Sequence, residues 1–187
     1  MQAASFSLAT DASRMHPDVV TRRQTNLLGA LVTALGDRIQ AATEDGAGRG
    51  GRAPAALAIL AQQEGLGIEG LRQQLDLSQP ATVRLVDGLV RDGLAARRAG
   101  SSGRTITLEL TDAGRARAEQ VLAARAGAID AALRSLSTLQ RLELEQLLEA
   151  MLGGLTADAV EADVLCRLCD LETCPAARCP VNRAVGA

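Results

Sequence analysis

The sequence predicts a mainly α-helical fold broken by a single β-hairpin, and three observations predict it. Apolar residues recur at helical spacing along most of the 187 residues. Only residues 105–110 alternate apolar and polar in the manner of a half-buried strand. There is no Trp or Tyr and a single Phe, Phe6, so the core must be Leu, Ala, Val and Ile. That composition favours helix over sheet.

The elements follow in order. Residues 1–16 are mostly small and polar and read as a flexible arm. Leu27, Leu28, Leu31, Val32, Leu35 and Ile39 then mark a first helix over about 18–43. The glycines of 44–51 end it and predict a loop. A second helix over 53–63 turns Leu57 and Leu60 inward, and a short third is centred on 68–75. Ser78 is placed to cap a fourth helix, and Pro80 is tolerated in its first turn. That helix runs to about Asp92 and buries Val83, Val86, Leu89 and Val90, with Gly93 where a C-cap is needed. Residues 94–98 and 105–110 form the hairpin around a Gly/Ser turn at 99–103. Thr111 can cap a long fifth helix carrying Leu122, Ala126, Ile129 and Leu133. Ser137 and Gln140 form a capping box before a sixth, which has Leu144, Leu147, Leu148, Met151 and Leu155. Met151 reads as core. A seventh helix over about 157–169 leads into the cysteines.

Helix, turn, helix and two-stranded wing in this order make a winged helix-turn-helix, with dimerisation helices at both ends. The organisation predicted is an arm over 1–16, a principal domain over 17–155 and a cysteine segment over 156–187. Within the principal domain, 53–111 is the winged part, and about 18–43 and 112–155 are the dimerisation helices.

Bulk properties exclude several functions. Net charge is −2, so any nucleic-acid contact must come from local arginines. All twenty basic residues are Arg, a bias that GC-rich codon usage also produces. The lack of aromatics argues against stacking on RNA or single strands. No apolar run is long enough to span a membrane. The N-terminus lacks a basic n-region and an apolar core, which points to the cytoplasm, where thiols stay reduced. No paired carboxylates, nucleophile–base arrangement or phosphate-cradling loop stands out, so an enzyme is not expected. His16, the only histidine, lies in the arm.

In a winged helix the fourth helix would enter the major groove and the wing would lie along the backbone or in the minor groove. Ser78, Gln79, Thr82 and Arg84 stand at its start, and Arg97, Arg98 and Arg104 flank the wing. Gln and Arg match the donor and acceptor patterns of base edges. Here the chain resembles the MarR family of bacterial regulators. The residues that carry the resemblance are LDLSQPATVRLVDGL at 75–89, RDGLAARR at 91–98 and TLELTDAG at 107–114. It implies a homodimer held by the first helix and the last two of the domain. It also implies an inverted-repeat operator of double-stranded DNA and, commonly, repression relieved by a small ligand or oxidant. Two positions depart from the family pattern. Ser102 stands where the wing usually has an Asp that orients the Arg, here Arg104. Gly88 stands where the recognition helix usually has Arg or Lys.

All four cysteines lie near the C-terminus, Cys166, Cys169, Cys174 and Cys179, spaced C-x2-C-x4-C-x4-C with Pro after the last two. On a helix, Cys166 and Cys169 are one turn apart and can face one point. Pro175 and Pro180 turn the chain away from helix, so Cys174 and Cys179 can fold back. Arg167 and Arg178 beside them favour thiolate over thiol. Four thiolates suit an iron–sulfur cluster (4Fe-4S or 2Fe-2S) or zinc. The spacing equals that of a zinc knuckle, but no Gly lies between Cys166 and Cys179. The arrangement is similar to that of SoxR-type iron–sulfur sensors, and the Cys-Pro ending to ferredoxin segments. A metal-free thiol switch remains a third option.

The sequence therefore points to a DNA-binding regulator whose iron–sulfur centre senses redox state, nitric oxide or cluster status. It expects the centre to act on the adjacent dimer helices. One alternative is a structural zinc site with a small organic effector. Another is an interaction module that has lost DNA binding.

Overall fold

The computed structural model describes residues 17–100, 105–174 and 176–186. The predicted arm with Phe6 and His16, the wing residues Ser102 and Arg104, and Pro175 lie outside the described residues. The chain divides into two units between Asp37 and Arg38, inside the first helix. The winged part and the cysteine segment belong to the second unit.

Helix α1 (Pro17–Ala47) opens on a proline, which suits a first helical position. It runs four residues past the expected end. The Glu44 carboxylate accepts a bond from the Gly51 amide at 3.0 Å, so the chain turns only after Ala47. Helix α2 (Ala53–Gln62) is apolar on every side, and residues 53–60 are all buried. It is the central strut of the domain. Helix α5 (Asp112–Leu133) lies on one side of it, and α3 (Ile68–Leu75) and the hairpin on others.

Helix α3 ends at Asp76 in the left-handed region, φ 50°, a conformation that Asp tolerates better than most residues. A short turn leads to α4 (Gln79–Arg91). This helix stops because Gly93 adopts φ 71°, and the Leu94 amide bonds back to the Leu89 carbonyl at 2.9 Å. Strands β1 (Ala95–Ala99) and β2 (Ile106–Leu110) pair antiparallel, with Ala95 opposite Leu110 and Arg97 opposite Leu108. Leu108 and Leu110 are buried, but Ile106 is exposed at the strand's start.

The strand-to-helix junction explains its own sequence. The Thr111 hydroxyl accepts from the Gly114 amide at 3.1 Å and donates to the Gly93 carbonyl at 2.7 Å. One side chain thus caps α5 and ties it to the turn after α4. A Cβ at Gly114 would overlap the Leu94 carbonyl, so this position has room for no other residue.

The core gathers Leu57, Leu71, Leu75, Val86, Leu89, Leu108 and Val121, all almost fully buried. Each such side chain contributes about 1.5–3 kcal/mol by its removal from water. Helix α6 (Thr138–Leu155) begins with the expected capping box: Gln140 donates its amide to the Ser137 hydroxyl, and its side chain accepts from the Ser137 amide. Yet α6 buries nothing; Leu139, Leu142, Leu147, Leu148, Met151 and Leu155 are all exposed. Met151 is therefore not a core residue of the single chain. Considered by itself, α1 likewise exposes Leu27, Leu28, Leu31 and Val32. Among the described residues no helix is long and apolar enough to cross a membrane.

After α6 the chain forms α7 (Ala159–Cys166), a 3-10 turn (Ala176–Arg178) and α8 (Pro180–Ala184). Asp158 caps α7 by accepting from the Glu161 amide at 2.9 Å.

Candidate functional site

Two groups of residues carry the candidate chemistry, and both are seated in the same compact unit. The first is the outer face of α4. Ser78, Gln79 and Arg84 are exposed there, and among the described residues Arg84 has no ion-pair partner. Ser78 occupies the cap position, but its side chain makes no capping bond. Instead its carbonyl accepts both the amide and the hydroxyl of Thr82, at 3.0 and 3.1 Å.

Thr82 corrects the sequence reading. It is fully buried, with its hydroxyl bonded into its own helix, so it cannot meet a base edge. Its polarity suggested an outward position, but 82, 86 and 89 share one helical face, and Val86 and Leu89 are core. The face opposite holds Arg84, Asp87 and Arg91, all exposed. Arg91 was missed, although its spacing of seven from Arg84 was visible in the sequence.

Arg97 and Arg98 are exposed on β1, as a wing contact requires, and both are paired. Arg97 donates to Asp87 of α4 at 2.6 Å, and Arg98 to Glu109 of β2 at 3.3 Å. The first pair joins the wing to the candidate reading helix. Each guanidinium keeps further N–H groups for a phosphate.

Gly88 has a structural reason. It is buried, and the nearest atoms to a Cβ built there belong to Arg49, with Nη2 at 2.6 Å. Arg49, from the loop before α2, donates to the Gly88 carbonyl at 3.2 Å and pairs with Asp92. A cation thus caps the C-terminal end of α4, where the helix dipole is negative. Nothing in the local sequence pairs residues 49 and 88.

The second group is the cysteines. All four are free thiols; Cys179 is buried and the other three are half-buried. They line one cavity of about 210 Å3 together with Gln62, Gln63, Gln74, Asp163, Arg167 and Asn182. The Cys166 thiol stands beside those of Cys169 and Cys179, and Cys174 beside Cys179. Helix α7 ends at Cys166, so Cys169 is delivered by a turn, its amide bonded to the Cys166 carbonyl at 2.8 Å, and not by a continuing helix. Asp170 shapes the next turn: its carboxylate accepts from the amides of Glu172 and Thr173 and from the Thr173 hydroxyl. Among the described residues no three His, Cys, Asp or Glu side chains stand ready-made around a metal ion.

The electrostatics favour one thiolate in this cavity, at Cys169. The hydrogen bond with Cys166 holds the Cys169 thiol down to about 6, helped by the charges of Arg125 and Arg167 against the effect of burial. Cys166 is pushed up by the same bond and by burial. Burial, then Cys179, raises Cys174. Burial lowers Arg167, as does the nearby charge of Arg52.

The apolar support of this segment is small. Ala162, Cys179 and Val181 are its buried members, with Leu165, Cys166, Cys174 and Val185 packed against them. Leu168 instead joins the main core. The segment is also held by α7 on α3, by α8 on α6 and by the Gln62 bonds to its loop.

Helix α4, its turn and the hairpin define the class as a winged helix-turn-helix. More particularly, the fold is that of the MarR-family regulators. The YusO protein of Bacillus subtilis superposes with a TM-score of 0.65 at 22% identity, over 73% of this chain and 97% of that one. The MarR family protein Rv2887 of Mycobacterium tuberculosis, in its complex with DNA, gives 0.56 at 24% identity, over 68% and 95% of the two chains. Its complex with salicylic acid gives 0.53 at 28% identity, over 67% and 93%. No protein-family model and no curated protein matches the chain.

Proposed function

We propose that this chain is a sequence-specific, DNA-binding transcription regulator of the MarR type, a cytoplasmic repressor and not an enzyme. The observation that carries the reading is the exposed Arg84, without an ion-pair partner among the described residues, beside Gln79 on α4 and near the wing arginines, in a fold shared with a protein solved on DNA. Arg84 is the expected base contact; Arg97, Arg98 and Arg104 are phosphate contacts, which position without reading sequence. The exposed leucines of α6 are to be covered by a second copy of this chain. A patch of this kind is unusual on a monomer. A homodimer presents two α4 helices, hence an inverted-repeat operator with half-sites about one helical turn apart.

The four cysteines are proposed to hold an iron–sulfur cluster that reports redox state, nitric oxide or cluster status. The supporting observation is that all four cysteines line one cavity, with Arg167 in its wall and the charge of Arg125 also felt at Cys169. Such a cluster supplies reversible electron transfer and reactivity with oxidants. The chain's own residues would supply four sulfur ligands, with Arg167 beside them in the cavity wall. Zinc is the second reading, favoured by the close thiol pairs, which a closed four-sulfur site would use. The regulator would then answer to a small organic effector.

The test is anaerobic purification followed by operator selection. A brown dimer with iron and acid-labile sulfide, binding an inverted repeat with a salt slope near about −5 for roughly six phosphates, is expected. Colourless protein with stoichiometric zinc would replace the cluster and leave the DNA reading standing. A stable monomer that shifts no genomic fragment would remove the regulator reading and leave an interaction module.

A further inference from the structure

We propose that Gln62 ties the cysteine loop to the DNA-reading helices, and that the four-cysteine centre regulates operator affinity through α2 and α3. This rests on the reading above, in which the cysteines hold a centre and α4 reads DNA.

Gln62 is the last residue of α2 and is half-buried. Both ends of its amide are spent on one loop. Nε2 donates to the Cys169 carbonyl at 3.1 Å, and Oε1 accepts from the Leu171 amide at 2.7 Å. Nε2 also reaches the Ala58 carbonyl at 2.9 Å, inside its own helix. The side chain is therefore fixed at its root and brackets Asp170, one residue beyond a candidate ligand. A loop that moves when the centre is gained or lost must move Gln62 or break these bonds.

The next residue continues the connection. Gln63 and Gln74 form a reciprocal amide pair, at 3.0 and 2.7 Å. Gln74 is a buried residue of α3, next to Leu75, which has no exposed surface. Helix α7, which carries Cys166, packs on α3, and α3 packs on α4. Gln62, Gln63 and Gln74 line the same cavity as the thiols. An amide pair with both bonds made and one partner buried has one good arrangement, and shifting either partner leaves the donor of buried Gln74 unsatisfied. The centre and the reading helix thus share α3, and Gln62 is a positioning residue between them.

The test uses full-length dimer, loaded with iron–sulfur cluster or with zinc, and the same protein stripped of metal. In the wild type, operator affinity differs between the two states by about tenfold, within the usual range of allosteric coupling. Gln62→Leu keeps the volume and removes the bonds. It should retain metal content per chain while the affinity ratio falls to about one. Gln62→Glu keeps the acceptor for Leu171 and loses the donor to Cys169, so its ratio should be intermediate. The double variant Gln63→Leu/Gln74→Leu cuts the second link and should also abolish the ratio. A separate readout is hydrogen exchange at the Leu171 amide in metal-free protein. Exchange should accelerate in Gln62→Leu and stay slow in the double variant. If Gln62→Leu does not fold, Gln62→Glu and the double variant carry the test. Loaded Gln62 variants with the wild-type ratio would overturn the inference while leaving the regulator intact. Wild-type protein that binds no metal or no operator would instead overturn the function on which it rests.

Discussion

Gly88 and Arg49 form a contact whose strength a double-mutant cycle can measure. Gly in a helix interior costs about 0.8–1.0 kcal/mol relative to Ala, so Gly88→Ala should stabilise α4 if nothing else changes. Something else does change: the new Cβ would stand 2.6 Å from Arg49 Nη2 and displace the guanidinium. The displaced group gives up its bond to the Gly88 carbonyl. A hydrogen bond from a charged donor contributes about 1.5–3 kcal/mol, and less here because the side chain is 27% exposed. Gains and losses nearly cancel, so Gly88→Ala alone should shift stability by less than about 1 kcal/mol. Arg49→Ala alone should cost about 2 kcal/mol, since the pair with Asp92 goes too. In the Arg49→Ala background nothing obstructs the new methyl, and Gly88→Ala should then stabilise by about 1 kcal/mol. The expected coupling is therefore about 1–2 kcal/mol. Urea unfolding followed by circular dichroism, at one fixed protein concentration because a dimer is expected, reads it. Additive effects of the two substitutions would show that Arg49 does not hold the end of α4.

Arg84→Ala should weaken binding to the specific operator by about 1–3 kcal/mol and relax base preference, as read by anisotropy on a panel of half-site variants. Unchanged preference would put the reading face elsewhere. Thr82→Val, by contrast, keeps the buried shape and loses only a hydroxyl bond to a carbonyl that still accepts the Thr82 amide, so it should cost about 0.5–1.5 kcal/mol, with operator preference untouched. A change in preference would contradict its burial. The metal-free protein should gain stability as pH rises from about 6 towards 9.0, because folded Cys169 has released its proton while the unfolded chain still holds one. Above that, folded Cys166 keeps a proton that the unfolded chain has lost, and stability should fall again. Cys169→Ser should flatten the rise; an unchanged profile would refute the thiolate.

Most of the fold was legible because it is written in local signals. Period and end signals placed α2, α4, α5 and α6, and Gly93, Thr111 and the Ser137–Gln140 box marked boundaries that the backbone honours. The α1 end was misplaced because a side-chain bond from Glu44 outweighs the glycines after it. The site was half legible. The exposure of Arg84 and the approach of the four cysteines to one cavity follow from residue type and spacing, while the chemistry they carry is the proposal made above. Thr82 misled because residue type was read ahead of helical position. Gln62 and Arg49 were invisible: their partners lie 107 and 39 residues away, and no short pattern encodes such pairs.

The structure offers two paths from the cysteine segment to the rest of the molecule, and magnitudes separate them. One runs through α8, which packs on α6, a helix expected in the dimer interface. Its polar link is Arg183 to Glu149 at 3.2 Å, with both side chains about half exposed. An exposed pair of this kind contributes roughly 0.2–1 kcal/mol and is screened by salt. The other path runs through Gln62, Gln63 and Gln74, whose amides are bonded at both ends within a shared cavity wall. Breaking such a bond and stranding its partner costs about 1–3 kcal/mol for each group. A signal confined to the first path would change the spacing between two reading helices and would fade with salt. A signal on the second would tilt each reading helix within its own subunit, and would be felt even at a single half-site. The stronger bonds lie on the second path, so the proposed response to a centre is expected in the individual winged helix before the dimer.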